Sequence, residues 1–188
     1  AREFIETELL QKLFINNYHW GDDKSGVAAS AYGVNMTARD MVKWGILIEQ
    51  NGMWQGEALI SPDYLQQARS NIAIPVDEEY DYGKFRYGYY FWNTQWKSND
   101  ESYHVSMAWG GGGQYIITVE ALNLVIAITA NIRKSDQTFA LLKQHVLPTF
   151  ALIENLKQKR SFNVTGPYLG QTLSGLKAEV FAPGIVNT

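Results

Sequence analysis

Apolar residues recur every three to four positions in three stretches of the chain, which is the spacing of one face of an α-helix. The first stretch predicts a helix over residues 1–14, and the third a long helix that begins at Ser135-Asp136 and meets Pro148, which should kink it. The apolar positions are Phe4, Ile5, Leu9, Leu10, Leu13 and Phe14, then Met41, Trp44 and Ile48 with Val42 or Leu47, and finally Phe139, Leu142, Val146, Phe150 and Ile153.

Helix start and stop signals frame two helices near the middle of the chain. Either Asn35 or Thr37 can cap the second helix, and Asp40 stands three residues beyond Thr37 in the manner of a capping box. Asn51-Gly52 ends that helix. Ser61-Pro62 then predicts a short helix to about residue 69, with serine as the cap and proline in the first helical position.

Between residues 80 and 131 the pattern becomes that of extended chain. Aromatic residues interleaved with Gly83 and Gly88 favour one strand from Arg86 to Gln95. After a polar loop at 97–101, three more strands are predicted at His104–Ala108, Gln114–Val119 and Leu124–Asn131. Short links between the strands predict an antiparallel meander. With helices before it and a helix lying across it, the fold class is α+β.

The remaining segments are predicted to be connecting loops and a C-terminal tail. Residues 16–30 contain turn-forming combinations and predict a loop, and Met53–Gly56 predicts a tight turn. From residue 157 a basic cluster is followed by a stretch punctuated by glycine and proline without clear periodicity. We therefore expect one domain over residues 1–156 and an irregular tail over 157–188.

Composition and charge exclude several classes of partner. A chain of 188 residues with 46% hydrophobic content can bury a core of its own, and a net charge of −3 gives no basic footprint for nucleic acid or an anionic membrane. No apolar run approaches the roughly 20 residues that a membrane span needs. The chain has no cysteine, so disulfides and thiolate metal sites are excluded.

Common motifs for metals and nucleotides are absent from the sequence. The histidines His19, His104 and His145 are scattered and form no metal-binding pattern, so no metal or cofactor is expected. The glycine run leads into a strand, whereas a dinucleotide fingerprint leads into a helix. The carboxylate pairs at Asp22-Asp23 and Asp77-Glu78-Glu79 fall in predicted loops and read as solvated charge.

A serine nucleophile activated by a lysine one helical turn away would appear as Ser-x-x-Lys. The sequence contains one match, Ser174-Gly-Leu-Lys177, in the tail without a helical pattern, and we interpret it as coincidence. Neither Gly-x-Ser-x-Gly nor Tyr-x-Asn occurs in the chain.

The most unusual local feature is a run of four glycines between Trp109 and Gln114, directly before a strand-like stretch. A backbone without side chains at the start of a strand makes a tight turn or a bulge, or it allows another group to approach the main chain closely. Only close approach by a ligand would have a chemical role. The alternative is a structural bulge with a packed indole at Trp109.

A resemblance to a known family narrows these alternatives. It rests on six segments, which are, in chain order, Tyr32–Gly45, Asn51–Gly56, Leu59–Pro62, Tyr87–Trp92, Ala108–Ile116 and Leu124–Asn131. In this order they resemble serine β-lactamase-like proteins, the group that contains class C β-lactamases, esterases and relatives of penicillin-binding proteins. The resemblance covers roughly residues 1–155 and implies part of a β-lactamase/transpeptidase-like α+β domain.

The resemblance implies a serine hydrolase that forms and then hydrolyses an acyl-enzyme. In this family an element of the type Lys-Thr-Gly, His-x-Gly or Trp-x-Gly lines one wall of the site, and Trp109-Gly110-Gly111 is similar to its tryptophan form. We therefore expect Trp109, Gly110 and Gly111 to be catalytic wall residues, and Gly112 and Gln114 to contact substrate. Because Trp109 replaces a cationic residue, an ester or amide is a more suitable substrate than penicillin.

Several expectations concern what lies beyond the site. The helical pattern already begins at Ala1, so we expect the chain to be the C-terminal part of a longer protein. The Ser-x-x-Lys element is then expected on an N-terminal portion that precedes residue 1. The chain is expected to be inactive alone and to pair with that portion. A non-catalytic binding module on the same fold is the alternative. An unpaired sheet edge is expected to be masked by a homodimer or by residues 161–188. The family and the absence of cysteine favour a periplasmic or secreted location. His104 is expected to be structural.

Overall fold

The computed structural model describes residues 2–29, 32–70, 74–75, 83–98, 100–132 and 135–160. The carboxylates at Asp77-Glu78-Glu79, the Ser174 and Lys177 pair, and the predicted tail from residue 161 onward lie outside the described residues. Residues 1–150 belong to one structural unit, which contains every strand named below. Among the described helices, none combines the length and the apolar character that a membrane crossing requires.

The helices begin where the sequence signals predict. Thr37 caps helix α2 because its Oγ1 accepts a hydrogen bond from the Asp40 N–H at 3.1 Å, while its hydroxyl donates to Asp40 Oδ2 at 2.7 Å. Ser61 caps α3 in the same way through the Tyr64 N–H. The helices are α1 (Arg2–Ile5, continued by a π-helix at Glu6–Leu10), α2 (Ala38–Glu49), α3 (Pro62–Ala68), α4 (Ser135–Leu141) and α5 (Leu147–Arg160).

A π-helical turn at Leu142–Val146 joins α4 to α5 directly before Pro148. In a regular α-helix the Pro148 ring would clash with the carbonyl of residue 144, and the bond to that carbonyl would be missing. A π-turn widens the backbone at this point. The helical path therefore continues through the proline.

An antiparallel sheet of six strands forms the centre of the unit, in the spatial order β10-β9-β8-β7-β6-β5. Its strands are β5 (Ile74–Pro75), β6 (Phe85–Gly88), β7 (Phe91–Ser98), β8 (Glu101–Gly110), β9 (Gln114–Val119) and β10 (Leu124–Ile128). Two small hairpins lie outside it, β1 (Tyr18–Trp20) with β2 (Val34–Met36) and β3 (Met53–Trp54) with β4 (Glu57–Ala58). The predicted antiparallel meander is confirmed.

The prediction of one strand from Arg86 to Gln95 is wrong. Two strands, β6 and β7, are joined there by a two-residue hairpin turn at Tyr89-Tyr90, where both residues have left-handed φ angles of 52° and 65°. Tyrosine is an unusual residue in such a turn, which normally carries asparagine and glycine. The sequence therefore contains no turn signal at this point. Likewise, β1 lies within residues 16–30, the segment predicted as a loop, and β2 follows that segment.

One face of the sheet is covered by α4. The rings of Trp96, Trp109 and Tyr115 lie 5.6, 5.2 and 5.3 Å from the ring of Phe139. These strand residues share a face because side chains alternate along β7, β8 and β9, and Trp109 pairs with Tyr115 in the register. The expectation of a late helix lying across the sheet is confirmed for α4.

The opposite face is covered by α2, which lies against β9 and β10. Gly45 is the point of close approach, because a Cβ added there would lie only 2.3 Å from Val125 Cγ1. On the same face a buried hydrogen bond links β7 and β8, since the Ser106 hydroxyl donates to Asn93 Oδ1 at 2.6 Å. The close packing at Gly45 fixes α2, and with it Met41, over the end of the sheet where β8 meets β9.

Candidate active site

The glycine run forms the turn between β8 and β9. Gly110 pairs with Gln114 across the ladder, and the Gly113 N–H donates to the Gly110 carbonyl at 3.1 Å, which closes a three-residue loop. Gly113 has a φ of +92°, whereas Gly111 and Gly112 have no left-handed φ. A turn of this kind followed by a left-handed glycine is a common three-residue hairpin. The local backbone therefore requires glycine at position 113.

The four glycines differ in what surrounds them. A Cβ at Gly113 would lie 2.8 Å from the Ile132 carbonyl oxygen, and one at Gly110 or at Gly112 would lie 2.9 Å from the end of the Gln114 side chain. At Gly111 no heavy atom lies within 4 Å of the added Cβ. Backbone packing thus requires glycine at position 113, whereas the flexible Gln114 side chain could move away from a Cβ at Gly110 or Gly112. Gly111 is the position where another molecule can approach the backbone most freely.

Gln114 folds back over the turn. Its Nε2 donates to the Ala130 carbonyl at 2.9 Å, and the Gly112 carbonyl accepts a hydrogen bond of 3.1 Å from the Ile132 N–H. These two bonds attach the turn to the segment that follows β10. No local signal in the sequence predicts this structural role, because it depends on a contact across 16 positions of the chain.

Trp109 is half-buried in an aromatic cluster on the α4 face. Its ring lies 5.0 Å from Trp92, 5.2 Å from Phe139 and 5.5 Å from Phe85, at angles that are typical of favourable aromatic pairs. The indole is therefore held in place by packing. The anchored indole fixes the end of β8, from which Gly110 and Gly111 continue directly.

A pocket of about 320 Å³ lies beside the turn. It contains Trp109, Gly110 and Gln114, three of the residues predicted for the site, whereas Gly111 and Gly112 lie on the adjoining turn. Its other lining residues were not predicted, and they are Met41, Tyr87, Tyr90, Trp92, Ala108, Tyr115 and Ile116. The described lining residues carry no charged side chain. The aromatic crowding of residues 80–96 was the available signal for Tyr87, Tyr90 and Trp92.

Charged groups lie elsewhere on the α2 face, around the buried Arg69. Its guanidinium donates to the Ile48 carbonyl at 3.2 Å and to Glu120 Oε2 at 3.1 Å, and Glu49 Oε2 lies 3.6 Å away. Burial raises the pKa of Glu49 against the effect of Arg69. Burial, and then the charge of Arg69, lower the pKa of His104. This ion-pair group joins α2, α3 and the turn after β9, which indicates a structural role.

No group of three histidine or carboxylate side chains that could hold a metal ion is found in the part of the chain that the structure describes. Ser106 is also unsuited to act as a nucleophile. It is 1% exposed, and its hydroxyl is engaged with Asn93. The arrangement beside Gly111 therefore consists of backbone N–H groups, an anchored indole and an uncharged aromatic pocket.

Comparisons with known proteins place the chain in a family. No curated protein matches the chain. A solved structure from Bacillus anthracis, provisionally named a 6-aminohexanoate-dimer hydrolase, has a similar fold with a TM-score of 0.61 at 17% sequence identity. The match covers 80% of this chain and 38% of that protein, so the chain spans well under half of its length. The family model named Beta-lactamase matches residues 1–149. The chain therefore belongs to the β-lactamase family of hydrolases.

Proposed function

We propose that this chain forms one wall of the acyl-transfer site of a serine hydrolase that cleaves an ester or an amide. The observation that carries the proposal is the position of the pocket, which has Trp109, Gly110 and Gln114 in its lining and the open Gly111 beside it. Among the residues that the structure describes, the pocket lining has no cation that could hold a carboxylate of the substrate. This favours an uncharged ester or amide over a penicillin.

In this proposal, the turn supplies hydrogen bonds to the oxyanion. The backbone bonds of the turn use the N–H groups of Gly113 and Ile132 as donors. Within the described residues, the N–H groups of Gly111 and Gly112 make no backbone hydrogen bond of the turn, and they are the candidate donors. A donor aimed at a developing oxyanion contributes about 3 kcal/mol to stabilising the transition state. The absence of a side chain at Gly111 leaves room for the substrate to reach its N–H.

We propose that the nucleophilic serine lies on polypeptide outside residues 1–188. The one Ser-x-x-Lys match in the sequence, Ser174 to Lys177, lies in a segment without helical pattern, and Ser106 is buried and bonded. The coverage of only 38% of the Bacillus anthracis protein is consistent with a site completed by additional chain. The 188-residue chain alone is then expected to turn over neither nitrocefin nor p-nitrophenyl esters.

Two substitutions at Gly111 in the complete gene product test the oxyanion role. Gly111→Pro removes the N–H, and the turn tolerates it because proline fits the first central position of such a turn and no atom fills the space beside Gly111. Gly111→Ala keeps the N–H. We expect Gly111→Pro to lower kcat for a p-nitrophenyl ester roughly 100-fold relative to Gly111→Ala. Equal kcat values for the two variants would refute a donor at Gly111.

A non-catalytic binding module is the second candidate. The observation that favours it is structural: the backbone requires glycine at position 113, and the Gln114 side chain folds over Gly110 and Gly112, so the run has a role in the turn without chemistry. A binding module would bind small uncharged ligands in the pocket and would not form a covalent acyl-enzyme. Saturable ligand binding by the complete gene product, together with no reaction with serine-directed phosphonates, would favour this candidate.

We further propose that the additional polypeptide, which would carry the nucleophilic serine, attaches to the sheet at β10. This strand stands at one end of the sheet order, and among the described strands it pairs only with β9. An edge of this kind can pair with a strand of another chain or segment. In the 188-residue chain alone, we expect a homodimer through β10 or cover by residues 161–188. A clean monomer with a protease-sensitive tail in size-exclusion chromatography would contradict both expectations.

A further inference from the structure

The hairpin turn between β6 and β7 carries two tyrosines in backbone angles that are unfavourable for them. Tyr89 and Tyr90 have φ angles of 52° and 65°, and both side chains are largely exposed. Asparagine and glycine would form the same turn without strain. Strained residues of this kind persist where the surrounding structure holds them, and they cluster at ligand-binding sites.

The two tyrosines have different surroundings. The Tyr89 ring makes an edge contact with Tyr64 of α3, with the ring centres 5.7 Å apart. Tyr90 lines the pocket beside the glycine turn, although 66% of its surface is exposed, which places it at the pocket mouth. Tyr89 thus fixes the hairpin against α3. The strained turn then holds Tyr90 at the entrance.

The walls near Tyr90 indicate what the pocket accepts. The rings of Tyr87 and Trp92 are in contact, with their centres 4.7 Å apart and their planes tilted by 48°, and Trp92 contacts Trp109 in turn. A volume of about 320 Å³ is at the small end of the range for ligand pockets. Aromatic walls without a charged side chain favour a flat, uncharged group of about one ring.

We propose that Tyr90 is a specificity-determining residue, and that the pocket binds an uncharged aryl group of the ester or amide substrate. This inference rests on the proposed function of the same site. The strain of the turn is retained because it holds the Tyr90 ring over the bound aryl group. A relaxed turn without the ring would stabilise the fold and weaken binding.

Equilibrium binding to the 188-residue chain tests the ligand class. The probes are benzamide, benzoate and benzamidine, which share a ring and differ in charge, and acetamide, which has no ring. Titrations are followed by tryptophan fluorescence, to which Trp92 and Trp109 at the pocket contribute among the six tryptophans of the chain, and by the NMR signals of the glycine turn. We expect saturable binding of benzamide and at least about tenfold weaker binding of the other three. Equal affinity for a charged probe, or no saturable benzamide binding at millimolar concentrations, would overturn the inference.

Substitutions in the turn test the role of Tyr90. Tyr90→Gly is expected to raise Tm by about 2–4 °C and to weaken benzamide binding roughly tenfold, whereas Tyr90→Phe should bind like the wild type. Tyr89→Asn removes the ring contact with Tyr64 and keeps the Tyr90 ring, so it should weaken binding by less than Tyr90→Gly does. Unchanged affinity in Tyr90→Gly, or a loss equal to that in Tyr89→Asn, would refute the role of Tyr90. Because none of these measurements needs turnover, an inactive complete gene product would contradict the proposed function alone.

Discussion

Alanine substitutions at Gly111 and Gly113 should have opposite effects on stability, although the two glycines stand two positions apart in one turn. Gly113 has a φ of +92°, and an added Cβ would lie 2.8 Å from the Ile132 carbonyl oxygen. A left-handed angle costs a side-chain-bearing residue about 1–2 kcal/mol, and overpacking adds about 1–3 kcal/mol. Gly113→Ala is therefore expected to lower the free energy of unfolding by about 2–5 kcal/mol.

Gly111→Ala lacks both penalties. Its Cβ would enter open space, and its backbone has no left-handed angle. A substitution of this kind reduces the entropy of the unfolded chain and stabilises the fold by about 0.4–1 kcal/mol. The difference between the two variants isolates the packing of the turn, because both replace glycine by the same residue.

Urea unfolding followed by tryptophan fluorescence measures both variants, since the six tryptophans of the chain together report the loss of the fold. For a chain of this size, the expected loss in Gly113→Ala corresponds to a fall in Tm of roughly 5–15 °C. The reasoning would be refuted if Gly113→Ala unfolded at the wild-type urea concentration. Equal destabilisation in Gly111→Ala would also refute it, because Gly111 would then not be open to a ligand.

Three further predictions concern stability away from the site. Arg69→Met should lower the free energy of unfolding by about 3–5 kcal/mol, because it leaves the carboxylate of Glu49 without its buried partner. Lys12→Met, the control at an exposed ion pair, should give no measurable change in the same urea titration. The fold lowers the pKa of His104 below the ordinary histidine value near 6.5, so the neutral imidazole contributes its full stabilisation above that pH and loses it as the pH falls below it. His104→Gln should therefore reduce the loss of stability between about pH 7 and 5. An equal reduction in His145→Gln, the control at an exposed site, would contradict this. In thermal unfolding, Gly52→Ala should destabilise the fold by about 1–3 kcal/mol more than Gly56→Ala. Both glycines have left-handed φ angles, but only at Gly52 would an added Cβ lie 2.0 Å from the Ile60 carbonyl oxygen. Equal losses would show that the contact with Ile60 has no effect.

Local signals in the sequence were sufficient for several elements of the fold. Thr37 with Asp40, and Ser61 with Pro62, are caps whose hydrogen bonds reach only three residues along the chain. The strands β9 and β10 follow from continuous apolar runs. The antiparallel order of the sheet was predictable because the links between its strands are short.

The parts that could not be predicted depend on contacts between distant residues or on strained turns. Tyr89 and Tyr90 have left-handed φ angles, but tyrosine does not signal such a turn, so the sequence pattern predicts one strand in place of the hairpin. Met41 reaches the pocket through the packing of α2 on the sheet, and the sequence places it more than 60 positions before Trp109. The one open glycine of the run was also unpredictable, because the Gln114 side chain folds back over its neighbours.

The most direct test of the proposed acyl-transfer site is covalent labelling with a serine-directed fluorophosphonate, followed by peptide mapping with mass spectrometry. The complete gene product and the 188-residue chain are labelled separately. We predict one adduct in the complete product, on a serine of a Ser-x-x-Lys element outside residues 1–188, and none on the 188-residue chain. An adduct on a serine within the chain, such as Ser174, or no adduct on the complete product, would contradict the proposal.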